Sequence, residues 1–87
     1  MASKYLDLNG VLNQLAGTSN LGAPGAANVW AGLPRSNGLD LIGALNHKNH
    51  TTGLGFNDVC NQLAGLPPSN GLDGVGALNH LAGNGQP

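Results

Sequence analysis

At 87 residues the chain has the length of one small domain, and its apolar share rests on Leu, Ala and Val with one Trp, one Tyr and one Phe, which makes a thin core. Three Lys/Arg against four Asp leave neither a basic patch for nucleic acid nor a cationic amphipathic face for a membrane surface. No apolar run approaches the roughly 20 residues that span a bilayer. The N-terminal MASKYLDLNG lacks the apolar core of a signal peptide, and the lone Cys60 excludes an internal disulfide, so folding in a cytoplasm is expected.

The first predicted element occupies residues 6–20 and opens with LDLNGVLNQLAG. Asp7 suits an N-cap and would meet the positive end of the helix dipole. Leu6, just before the cap, is placed as a hydrophobic staple against Val11. Gly17 can supply the left-handed residue that closes a helix. The spacing predicts a helix of about ten residues, about 15 Å long at 1.5 Å per residue. Turning 100° per residue gathers Leu8, Val11, Leu12 and Leu15 on one face, with Gly10 and Asn13 set towards the other.

The same text recurs over 21–38, 39–53, 54–71 and 72–87. The leading leucines Leu6, Leu21, Leu39, Leu54 and Leu72 stand 15, 18, 15 and 18 residues apart. Seven positions past each comes an asparagine: Asn13, Asn28, Asn46, Asn61 and Asn79. In the second unit Gly22 takes the cap position, and Pro24 falls in a first turn, where its missing N–H costs little. The third, with Asp40 as cap, departs at its end: Lys48, Asn49 and His50 replace the Leu/Trp, Ala and Gly of its siblings. Either this helix ends irregularly or it offers a polar patch to a partner. The fourth repeats the apolar face as Phe56, Val59, Cys60 and Leu63, with Asp58 in its first turn. The fifth, with Asp73 as cap, makes LPPSNGLDGVGALNH a near copy of LPRSNGLDLIGALNH, 33 residues earlier. Linkers alternate between three residues (Thr18–Asn20, Thr51–Gly53) and six (Leu33–Gly38, Leu66–Gly71), the long ones punctuated by Pro and Asn-Gly. They read as helix pairs.

Isolated helices below about 12–15 residues are marginal in water, so these units must lean on one another. The expected fold is all-α: one repeat domain over 1–87, a compact array of five short helices with Gly/Asn-rich turns. Fifteen glycines raise the entropic cost of ordering. Assembly in several copies is therefore expected to supply the missing burial.

Two readings stand for the asparagine column. The amides form a ladder for a ligand or partner backbone, or they bond backbone groups left free at short helix ends. Five occurrences with differing neighbours favour the second. His47 and His50 have the H-x-x-H spacing of helical metal ligands, but zinc takes three or four ligands. Cys60 shares its column with Leu12, Ala27, Leu45 and Leu78, an apolar position. No metal or other cofactor is expected. Trp30 shares its column with Leu15, Leu63 and Leu81 and reads as core or as a half-exposed interface anchor. With Arg35, Lys48 and His50 it forms the set of candidate partner contacts. No paired carboxylates, nucleophilic triad or phosphate-cradling loop can be assembled, so no enzyme is expected.

LDLNGVLNQLAG, LDLIGALNH and TTGLGFNDVCNQLAG resemble the tandem GLxxxGALNxxAGTTGLGLNxVCNxLAG repeats of small minor tail proteins of actinobacteriophages, mycobacteriophages especially. The resemblance covers Leu6 to Gly83, and departs from the family pattern at LPRSNG, LPPSNG and the KNH at 48–50. It implies a virion structural protein in or near the tail tip, assembled in the host cytoplasm and docked in several copies on other tail proteins. It carries over no catalytic residue. The expected function is thus a minor tail protein that braces or decorates the tail. The alternatives are a host-envelope binding module displayed on the virion and a capsid-associated decoration protein.

Overall fold

The computed structural model describes residues 5–34, 39–67 and 72–84. Their fold is all-α, with five short helices: α1 (Leu8–Ala16), α2 (Ala23–Trp30), α3 (Leu41–Asn49), α4 (Phe56–Leu63) and α5 (Gly74–Ala82).

Each helix starts from an extended cap residue. Asp7, Asp40 and Asp73 accept hydrogen bonds from the backbone N–H of Gly10, Gly43 and Gly76 at 2.8, 2.7 and 2.8 Å. A Cβ on Gly10 or Gly43 would lie 3.0 Å from the capping carboxylate, close enough that the carboxylate would have to give by a few tenths of an ångström. At Gly10 it would also stand 3.2 Å from the Leu6 Cβ. Gly22 and Gly55 cap α2 and α4 without a side-chain bond. Pro24 at the start of α2 and Asp58 in the first turn of α4 fit those ends instead.

All five helices end alike. The residue eleven past each leucine is left-handed: Gly17, Gly32, His50, Gly65 and Gly83, with φ of 73°, 81°, 60°, 74° and 82°. Its N–H bonds back three residues, and the next N–H reaches the carbonyl of the repeated asparagine at 2.8–3.0 Å in every case. This double closure is the Schellman arrangement. The third helix, whose KNH ending left an irregular end open, closes as its siblings do, with His50 in a conformation that costs a residue bearing a Cβ about 1–2 kcal/mol.

The helix backbones meet their chain neighbours in turn, α1 with α2, α2 with α3, α3 with α4 and α4 with α5; α5 then returns to α1. The five make a closed ring, flattened to 34 × 27 × 14 Å, an arrangement that the expected compact array leaves open. Reading the linkers as helix pairs also misses the α2–α3 contact, which crosses the long linker as directly as the others.

The fifth and sixth positions past each leucine fill the core. Val11, Leu12, Ala26, Ala27, Ala44, Leu45, Val59, Cys60, Ala77 and Leu78 are all fully buried. Leu12, Leu45 and Leu78 are offset by the smaller Ala27 and Cys60, so that the five belong to one buried cluster. The second position is similarly matched. Phe56 meets Gly74, where an added Cβ would enter the phenyl ring.

Candidate functional site

The asparagine column, which helical arithmetic sets apart from the apolar face, is buried as well: Asn13, Asn28, Asn46, Asn61 and Asn79 are between 0 and 8 % exposed. Each one joins its unit to the next. The Asn13 Nδ2 donates to the Leu21 carbonyl at 2.9 Å, and the Leu21 N–H donates to the Asn13 Oδ1 at 3.2 Å. Asn46 grips Leu54 by the same pair of bonds, at 3.1 and 3.2 Å. Asn28 and Asn61 donate to the carbonyls of Leu39 and Leu72 at 3.2 and 3.3 Å. The leading leucines therefore serve through their backbone as well as their side chains.

The second Nδ2 hydrogen of every column member goes to a carbonyl four residues back in its own helix, at 2.7–3.0 Å. The Oδ1 of Asn13 and of Asn46 also accepts from a threonine hydroxyl, Thr18 and Thr51, both at 2.8 Å. A primary amide has two donors and two acceptor lone pairs, and in these two residues all four are used. Among the described residues no buried side-chain nitrogen or oxygen lacks a partner.

The fifth joint is the informative one. Asn79 donates to the Leu6 carbonyl and accepts from the Leu6 N–H, both at 2.9 Å, across 73 residues of sequence. Asn84 supplies the part played elsewhere by threonine, donating to the Asn79 Oδ1 at 2.8 Å. The ring thus closes end to end with the bonds that join units across a three-residue linker. Asn84 also pairs amide to amide with Gln14, at 2.8 and 3.3 Å. A related pair, Asn49 to Gln62 at 2.9 Å, ties α3 to α4. Sequence reading passes over Asn84, and it sets Gln14 and Gln62 with His47 and His80 on a tolerant outer face, where they instead make these specific bonds. The signal for Asn84 lies twelve positions past the leucine, where Thr18, Thr51 and Asn84 are polar while Leu33 and Leu66, which open the long linkers, are not; Gln14 and Gln62 share the column eight past the leucine.

The candidate partner contacts are scattered. Trp30 is half-buried against the core, and the Lys48 ammonium sits 5.2 Å from its ring centroid, a cation–π contact between α2 and α3. His50 is exposed at the α3 cap, and Arg35 lies outside the described residues. His47 and His80 are exposed on separate helices. Among the described residues no three His, Cys, Asp or Glu gather where they could hold a metal ion. Burial in the core, with a smaller contribution from the Asp73 carboxylate, pushes the Cys60 thiol up to about 12, so it stays protonated at neutral pH. Among the described residues no helix is long and apolar enough to cross a membrane.

What remains on the surface differs from unit to unit. A shallow cleft beside α1 is walled by Asn9, Gln14, Ser19 and Asn20. The equivalent cleft beside α3 offers Ile42, His47, Thr52 and Gly53, and beside α4 the equivalent walls include Asp58 and Gln62. Among the described residues Leu39, Ile42 and Leu81 are the exposed large apolar side chains, at 41, 37 and 37 %. The ring is one constant frame of joints carrying unlike surface groups. Against family models, curated proteins and solved structures the chain finds no match.

Proposed function

We propose that this protein is a structural component of a phage virion, a minor tail protein that braces or decorates the tail tip through protein–protein contacts. The observation that carries the reading is where the phrases that bear the resemblance fall. The Asn and Gly of LDLNGVLNQLAG and its siblings are the joints and caps of the ring, and the Leu backbones are what the joints hold, which supports a structural role for the residues that carry the resemblance. Amides bonded to their own backbone have little capacity left for a ligand, and a small, near-neutral body with unlike clefts suits contact with protein surfaces.

The test is composition and position in the intact particle. Mass spectrometry of purified virions should find the chain in several copies, and antibody labelling should mark the tail. A particle lacking the chain overturns the proposal. Parallel pulldowns with virion proteins and with host envelope separate bracing from receptor display, since capture by envelope alone favours the display module.

A further inference from the structure

We infer that the seam between α5 and α1 is exchangeable between copies, so that α1 of one molecule completes the ring of a second. Four of the five joints are backed by a covalent linker, whereas the fifth is held by non-covalent contacts alone. Its two edges are complementary and unlike, Asn79 and Asn84 on one side and Leu6 and Gln14 on the other.

Neither edge is built to face water. Linear repeat arrays end in units with a polar outer face. Here Val11 and Leu12 of α1, and Ala77, Leu78 and Asn79 of α5, are as buried as their counterparts in the inner helices. An opened ring exposes that apolar surface and strands the amide joint, and a second copy offers the matching edge. The turn over 17–22 is the hinge, with Gly17 and Asn20 holding the left-handed conformations that would change. With α1 seated between α2 and α5 of a partner copy, every joint reforms, including Asn13 to Leu21. The exchanged and closed forms then share the joints between units and differ within the hinge, where Gly17 and Thr18 bond back to α1 in the closed form, and concentration decides between them. The balance lies where protein concentration meets the effective concentration of the tethered edge, of order mM for a short linker. Copies crowded on a scaffold would meet that condition.

The experiment refolds an equimolar mixture of unlabelled and isotope-labelled chain from denaturant at about 2 mM, above that effective concentration, and then dilutes it to about 10 µM. Native mass spectrometry reads the products, and the same chain cyclised head to tail through its backbone serves as the comparison. The expected result is a mixed-isotope dimer from the linear chain that persists for hours after dilution and is absent from the cyclised chain. Persistence separates an exchanged dimer, which must unfold α1 to part, from a surface contact that dissociates on dilution. Monomer alone from the linear chain at 2 mM, a dimer lost at once on dilution, or an equal dimer from the cyclised chain overturns the inference.

Discussion

Replacing Asn79 by alanine removes four hydrogen bonds of 2.8–2.9 Å in one step: to the Leu6 carbonyl, from the Leu6 N–H, to the Val75 carbonyl and from the Asn84 amide. A buried polar group left without its partner costs about 1–3 kcal/mol. Leu6 is half-buried, so water can replace part of what its backbone loses, and Asn84 retains Gln14. Discounting for both, the loss is about 3–5 kcal/mol. At about 0.05–0.15 kcal/mol per residue, a chain of this length has about 4–13 kcal/mol in all. Asn79→Ala should therefore remove a large part of the stability, and unfold the chain in buffer where the total lies at the low end of that range. The assay is urea denaturation followed by circular dichroism at 222 nm, with the exposed Asn9→Ala as the comparison, expected within about 0.5 kcal/mol of the parent. Asn79→Asp adds a signed readout. Its carboxylate would face the Leu6 and Val75 carbonyls, so its folded pKa should rise above the unfolded value of about 3.9. Stability should then be greatest below that pH and fall as pH rises. Asn79→Ala within about 0.5 kcal/mol of the parent would refute the claim that the amide closes the ring.

Gly74→Ala should cost about 1–3 kcal/mol by overpacking against Phe56, and Phe56→Leu in the same chain should recover much of it, as a double-mutant cycle in urea would register. His50→Gly should stabilise by about 1 kcal/mol, since His50 holds φ 60°, and raise Tm by about 4–8 °C in calorimetry. The folded Cys60 thiol, lifted from 9.0 to about 12, contributes stability that is complete below pH 9 and declines as pH rises towards 12. Chemical denaturation across that window should show the decline, and Cys60→Ala should flatten it. Lys48→Met should shift the Trp30 emission while leaving the helical signal intact, because the ammonium over the ring lends little to the fold. An unmoved spectrum would dissociate the two side chains.

Much of the helical reading was legible because it depends on neighbours in sequence. The Asp caps, the first-turn Pro24, the closing glycines and the paired apolar positions each act within one unit, and spacing alone exposes them. Even the burial of Cys60 followed from the company it keeps in its column. His50 was ambiguous for a physical reason: the cap position demands a left-handed residue, and a histidine reveals only in three dimensions whether it complies.

The joints were only partly legible. An asparagine recurring five times announced a structural duty, but its partner is the backbone of the next unit's leucine, and backbone groups leave no letter in the text. Asn84 and Gln14 looked unremarkable because they pair across 70 residues, and the Asn84 bond to Asn79 shows only once the C-terminal turn is folded back. Closure itself lay beyond the letters. Whether successive helices stack into an open array or return on themselves depends on the small rotation between neighbours, which summed packing sets and no single residue encodes. The chain's own pattern determined five short coils that could not stand apart; tertiary packing decided that the last would lean on the first.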